Sequence, residues 1–180
     1  MKRIWILFLV AGIALVALSS FRFAIPLHDS QELGYLAPPF QLRSLDGKSS
    51  SLGEFKEKPL LLHFWATWCG SCVKEFPAFA RMAKDFAGED IQILSISEDG
   101  RNAEAKVGAF VEGLGVTFPV LLDLDGRVAD AYQSYGVPES FFIDRQGKVV
   151  QRINAPVDWD DEGARKLVKA FIAMPPIAPW

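Results

Sequence analysis

Leu60-Leu-Leu-His-Phe-Trp-Ala-Thr-Trp-Cys-Gly-Ser-Cys-Val-Lys-Glu-Phe-Pro77 decides the fold of this chain. Leu60 to Trp65 is a nearly continuous apolar run, the pattern of a strand buried on both faces. From Ser71 onward the apolar residues Val73, Phe76, Phe79, Ala80, Ala83 and Phe86 recur at spacings of three and four, which predicts an amphipathic helix. Pro77 is expected to kink that helix and Gly88 to stop it. A buried strand running into an amphipathic helix is one half of a crossover unit, and both cysteines of the chain, Cys69 and Cys72, fall at the junction.

Working outward, Phe40 to Leu42 alternates apolar and polar, Asp46-Gly47 supplies a turn, and Leu52 follows, which predicts a short opening hairpin. Ile91 to Ile96 reads as a second buried strand. Asn102 is the expected cap of a second helix whose apolar face is Val107, Phe110, Val111 and Leu114. Phe118 to Leu122 is a short strand and Gly126 to Tyr135 a short helix. Ser140 to Ile143 and Lys148 to Ile153 flank Arg145-Gln-Gly147 as a hairpin, and Asp160 or Asp161 starts a last helix through Ala173. Helices between strands demand a parallel crossover sheet, to which the final hairpin adds antiparallel edge strands. The fold class is therefore α/β, with a mixed central sheet flanked by helices. No internal repeat is present.

Ahead of this domain, Lys2 and Arg3 precede an uncharged run from Ile4 to Phe21, and Arg22 follows it. Eighteen residues span about 27 Å as a helix, just under the roughly 30 Å hydrocarbon core, and snorkelling cations make up the difference. Residues 1–25 read as a signal anchor or a signal peptide. The run is longer than the usual apolar core of a cleaved signal, which favours the anchor, while Ala17 and Ser19 suit cleavage. The flanking charges put the N-terminus in the cytoplasm and the domain outside, in an oxidising space. Residues 26–37 are expected to be a tether, 38–174 the domain, opened by Pro38-Pro39, and 175–180 a Pro-rich tail.

The chain has 180 residues and a net charge of −3. Lys2, Arg3 and Arg22 account for three of its 19 basic residues, leaving 16 against 22 acidic ones from Pro26 onward, a charge of −6. So acidic a domain lacks the footprint of a nucleic-acid binder. Two cysteines are too few for a disulfide scaffold, and two histidines, His28 and His63, leave little for a metal centre, so no cofactor or metal is expected.

The spacing Cys69-Gly-Ser-Cys72 points to redox work. A cysteine at a helix N-terminus faces unpaired N–H groups that favour a thiolate, and a second cysteine one turn on lies within disulfide reach. A purely structural disulfide is a weak alternative, because so short a loop constrains the unfolded chain very little. A zinc site lacks ligands, and buried free thiols would not explain the placement. Glu75 shares a helix face with Cys72. On a helix packed against a sheet its carboxylate is expected to be desolvated, with a raised pKa, and able to take and return the Cys72 proton. The competing reading is a solvated Glu paired with Lys74 or another nearby cation.

The segment His63 to Pro77 resembles the active-site segment of the thioredoxin-like family, in particular its exported TlpA/ResA/DsbE branch. Further matches are Ala37-Pro-Pro-Phe40, Phe118-Pro-Val-Leu-Leu-Asp123, Tyr135-Gly-Val-Pro-Glu139 and Phe141-Phe-Ile-Asp144, so the resemblance runs from about Ala37 to Phe171. It implies a thioredoxin-like fold with an N-terminal hairpin and a central helical insert. It further implies that Cys69 is the attacking thiol, Cys72 the resolving one, Glu75 functional, and Pro138 preceded by a cis bond after Val137. Trp68, Val137, Pro138 and Glu139 would form the surface that meets substrate. Glu139 matches the Pro-Glu of DsbE-type members, with a rim charge as the plainer reading. Trp65 and Trp68 are expected to pack around the site, and His63 to be a strand residue with a satisfied ring. Gly70-Ser71 departs from the dipeptides common in the branch.

The function so implied is thiol–disulfide exchange by a reductant on the periplasmic side of a bacterial inner membrane. Its clients would be apocytochrome c disulfides or copper-handling proteins of oxidase assembly, and its electron donor a membrane protein of the DsbD or CcdA type. A thiol peroxidase is disfavoured, since Ala66 occupies the position where that chemistry wants a Thr, three residues before the cysteine. A Sco-type copper module is disfavoured too, since such proteins use CxxxC and a distant His.

Overall fold

In the computed structural model, which describes residues 33–175, one seven-stranded mixed sheet organises the domain. In chain order the elements are β1 (Gln41–Ser44), β2 (Ser49–Ser51), a 3₁₀ turn (Leu52–Phe55), β3 (Leu60–Trp65), α1 (Gly70–Asp85), β4 (Gln92–Ser97) and α2 (Glu104–Gly113). They continue with β5 (Val120–Leu122), α3 (Arg127–Ala131), β6 (Glu139–Ile143), β7 (Val149–Ile153) and α4 (Glu162–Ile172). The strand order is β2-β1-β5-β4-β3-β6-β7. β3 runs parallel to β4, and β4 to β5, while β6 joins β3 antiparallel.

Every residue of β3 is buried. Its even-numbered residues Leu60, Leu62 and Phe64 enter one core with Leu94, Ile96, Leu121, Phe141 and Tyr132. Leu61 points the other way, into a core with Phe79, Met82, Phe142, Trp159, Val168 and Phe171. Trp65 joins Phe76, Val107, Val111 and the two cysteines. This two-sided burial follows from the strand's period of two and places helices on both faces. α1, α2 and α4 cover one side, and α3 with the chain before β1 covers the other.

Several expectations are corrected. Only β7 of the final hairpin is an edge; β6 is interior because its other side bonds β3. Asn102 does not cap α2. It sits at φ 68°, a left-handed turn conformation that Asn tolerates, and the cap position falls to Ala103 with no side-chain bond. The helix expected over 126–135 is only α3, whose first-turn N–H groups of Val128 and Ala129 donate to Asp123 Oδ2 at 3.0 and 2.8 Å. It ends where Gln133 turns left-handed at φ 52°. The described part of the expected tether is docked: Gly34 N–H donates to the Val149 carbonyl, Val149 N–H to that of Tyr35, and Ala37 N–H to that of Gly147. Residues 33–37 thereby cover part of the β7 edge, because β7 has free N–H and C=O groups there. α1 runs through Pro77 to Asp85. The anchor or signal expected over residues 1–25 and most of the tail lie outside the described residues. No helix among those described is long and apolar enough to cross a membrane.

Phe79 is the hub of the α1 face, its ring 4.4 Å from His63, 5.3 Å from Trp159 and 5.4 Å from Phe118. Phe79→Ala is expected to lower the unfolding free energy by about 3–5 kcal/mol. A urea titration would show it as a lower midpoint at an unchanged slope.

Candidate active site

The site forms where β3, β4 and β6 end or begin side by side. Register pairs Trp65 with Ser97 and Phe64 with Glu139, so the turn after β3, the residues after β4 and the residues before β6 converge. Asp99, buried, accepts the Thr67 backbone N–H at 2.8 Å, the Thr67 hydroxyl, and the Ser97 hydroxyl at 2.8 Å. Those bonds fix the turn over Ala66 to Trp68, and Cys69 follows as the N-cap of α1 with extended backbone.

Cys69 and Cys72 form a disulfide with their Cα atoms 5.2 Å apart. Cys69 Sγ accepts the Cys72 backbone N–H at 3.1 Å and lies 3.2 Å from the Ser71 hydroxyl. On reduction both donors serve a thiolate at Cys69, as a cap oxygen would be served at an ordinary helix start. Cys72 is fully enclosed. The Val137–Pro138 bond is cis, and the Val137 carbonyl oxygen is 3.4 Å from Cys69 Sγ. Ser71, known from the sequence only as part of an unusual dipeptide, is thus a member of the site.

Glu75, one turn beyond Cys72, is 6% exposed. The Trp159 indole N–H donates to its Oε1 at 2.5 Å, while Oε2 is buried without a hydrogen-bond partner. Burial pushes its pKa up to about 7, against the opposing pull of the Trp159 and Val157 N–H groups. This is the desolvated setting and not the solvated pair with Lys74.

Glu139 is not a rim charge. It is fully buried and accepts Arg152 Nε at 2.5 Å, while Arg152 also donates to the Gln133 carbonyl at 2.7 Å and lies over the Phe141 ring. The pair ties β7 to the segment that delivers Val137 and Pro138. Trp68 does not pack around the site as expected: it is 63% exposed, in the turn that Asp99 holds ahead of Cys69. Trp65 does pack, 4.1 Å from the Phe76 ring. His63 is only half satisfied. Its Nδ1 bonds the Ser140 hydroxyl at 2.9 Å, but Nε2 has no partner, and full burial pushes the ring down to about 3, so it is neutral.

Sequence reasoning missed Glu98, Asp99, Arg152 and Trp159. Glu98 accepts from the Ser134 hydroxyl at 3.3 Å, and burial, with Asp123, Glu139 and Asp130 adding negative charge, pushes it up to about 7. The available signal was position: Ser97-Glu98-Asp99 follows the carboxyl end of a parallel strand, where such sheets gather their sites. Among the described residues no group of three or more His, Cys, Asp or Glu side chains could hold a metal ion.

Comparison with known proteins agrees with this geometry. The model of the AhpC/TSA family matches residues 33–152. The thiol-disulfide oxidoreductase ResA of Bacillus subtilis is 36% identical over 158 residues, covering 84% of this chain and 86% of the relative. The thioredoxin-like protein YneN of the same organism is 36% identical over 134 residues, covering 74% and 78%. Among solved structures, a thiol:disulfide interchange protein of the thioredoxin family from Chlorobium tepidum superposes with a TM-score of 0.67 at 27% identity, over 77% of this chain and 97% of that one.

The raised carboxyls make stability depend on pH with a definite sign. Glu75 and Glu98 titrate near 7 when folded and near 4.5 otherwise, so between those values the folded state binds more protons. The stability these two carboxyls contribute is therefore fully present below about pH 4.5 and is lost as pH rises through 7. Denaturant titrations of the oxidised protein at pH 5 and pH 8 are expected to show this loss. Glu75→Gln is expected to remove its own share, at most roughly 3 kcal/mol.

Proposed function

The chain belongs to the AhpC/TSA family as a thiol-disulfide oxidoreductase of the ResA/DsbE type, and we propose that it acts as an exported, membrane-tethered reductant of apocytochrome c disulfides in cytochrome c biogenesis. The observation that carries the direction is Glu75. A buried carboxyl beside Cys72 disfavours a second negative charge there, so it raises thiol pKa values and withholds the stabilisation of the reduced form that makes a strong oxidant.

In the cycle, the Cys69 thiolate, held by the Cys72 N–H and the Ser71 hydroxyl, attacks one sulfur of a client disulfide. A Cys69–client bond forms and the client's other sulfur leaves as a thiolate. Glu75 takes the Cys72 proton, Cys72 attacks Cys69 Sγ, and the second client thiolate departs. Two electrons pass to the client, Glu75 gives its proton to the departing client thiolate, and the pair is left as the disulfide seen here. Trp68 and the Val137-Pro138 segment would flank the client, with Glu139 buried behind them against Arg152 and so not on the surface that meets substrate, and a membrane thiol donor of the DsbD or CcdA type would reduce the pair again. The uncharged run over Ile4 to Phe21 supports export to the periplasmic side of an inner membrane.

A peroxidase reading gains nothing from the site. Ala66 stands three residues before Cys69, and the hydroxyl of neighbouring Thr67 is committed to Asp99.

Trapping tests the proposal. The reduced full-length chain carrying Cys72→Ala is expected to accumulate a mixed disulfide with an oxidised apocytochrome c haem-site peptide, and Cys69→Ser to give none. Adducts formed only with copper-handling dithiol proteins would reassign the client to oxidase assembly, and rapid consumption of hydrogen peroxide would overturn the reductant.

A further inference from the structure

We propose that Trp159 is a positioning residue for the exchange: its indole N–H holds Glu75 Oε1, and so assigns the Cys72 proton to Oε2. The inference rests on the reading of Glu75 as the proton carrier and names the atom that does the carrying. The indole N–H is a donor with no acceptor capacity. Bound 2.5 Å from Oε1, it meets a lone pair of that oxygen in both protonation states. A proton arriving at Glu75 is thereby directed to the other oxygen, which is buried and has no hydrogen-bond partner of its own.

Trp159 is well held for this role. It is fully buried, edge-on to Phe79 at 5.3 Å and to His63 at 6.5 Å, in the core that Val168 and Phe171 of α4 complete. The turn that bears it closes through Asp161 N–H to the Asp158 carbonyl, and Arg81 of α1 clamps it by an ion pair of 2.6 Å to Asp160. The indole is thus anchored to the helix whose carboxyl it meets.

The proton balance is simple. The Cys72 S–H bond breaks and an Oε2–H bond forms, leaving a Cys72 thiolate and a neutral Glu75, with no change of oxidation state until the thiolate attacks. Besides Glu75 itself, the ionisable groups on the elements around this corner are Cys72, Lys74, Arg81, Lys84 and Asp85 on α1, His63 on β3, Asp158, Asp160 and Asp161 flanking Trp159, and Glu162, Arg165, Lys166 and Lys169 on α4. His63 is neutral, and Arg81 and Arg165 are ion-paired with Asp160 and Asp85. The groups that oppose burial at Glu75 are the Trp159 and Val157 N–H groups. Removing the indole N–H therefore moves the Glu75 titration upward.

The test uses the oxidised full-length chain in detergent solution, with nitrogen-15 in the indoles and carbon-13 in the glutamate carboxyls, followed by NMR across pH. In the unaltered protein the Trp159 Nε1–H resonance is expected to move with the same midpoint as the Glu75 carboxyl, and Glu75→Gln to abolish that movement. Trp159→Phe, which keeps an aromatic ring against Phe79, is expected to raise the Glu75 midpoint by roughly one pH unit. The acid limb of mixed-disulfide resolution is expected to shift by the same amount. A Trp159 resonance that stays flat while Glu75 titrates would overturn the proposal without needing a variant, as would an unshifted midpoint in folded Trp159→Phe. If Glu75→Gln instead resolves the mixed disulfide at the unaltered rate, the Glu75 reading falls and this proposal with it. That outcome is recognisable because the Trp159 resonance would still follow Glu75.

Discussion

Strand β3 is the constraint on which the remainder of the domain depends. Its six residues are enclosed on both faces, with a parallel neighbour on one side and an antiparallel neighbour on the other. A one-residue slip would exchange Leu60, Leu62 and Phe64 for Leu61, His63 and Trp65 between two differently shaped cores, so the register is strongly specified. That register carries the chemistry. The end of β3 launches the turn into Cys69, the end of β4 brings Ser97, Glu98 and Asp99 alongside, and the start of β6 brings Glu139 against Phe64.

Around this frame the chain buries carboxylates and treats each differently. Asp99 is enclosed by N–H and O–H donors and serves as a peg for the turn over Ala66 to Trp68. Asp123 does the same at the start of α3. Glu139 is matched by Arg152, whose remaining donor captures the Gln133 carbonyl. Glu75 alone stands one helical turn from a cysteine with a single side-chain donor and one bare oxygen. An unmatched buried carboxyl costs stability, and the chain tolerates it at the position where a proton must be stored and returned.

Much of this was legible in the sequence. The apolar run of β3, the three-and-four spacing of α1, and the cysteines at their junction each follow a local periodicity, and such signals survive folding. The desolvation of Glu75 was legible for the same reason, since its place on the helix face of Cys72 and Phe79 points it inward. What was not legible depends on contacts between distant segments. Trp159 lies 84 residues from Glu75 in an irregular segment with no period. Glu139 reads as either a docking residue or a rim charge until Arg152 of the next strand is seen against it. Asn102 had the right chemistry for a helix cap, but the turn after Gly100 placed it one residue early. The docking of residues 33–37 on β7 replaces a tether with an edge cover, because an open strand edge recruits whatever chain lies near.

Direction of electron flow is the central claim, and the equilibrium potential of Cys69–Cys72 tests it most directly. The full-length protein would be equilibrated in graded thiol/disulfide buffers and the reduced fraction measured. A pair whose resolving cysteine sits beside a buried carboxyl should settle at or below roughly −270 mV, the range of a reductant. A value near roughly −120 mV, that of a strong oxidant, would contradict the claim and make the protein a disulfide donor.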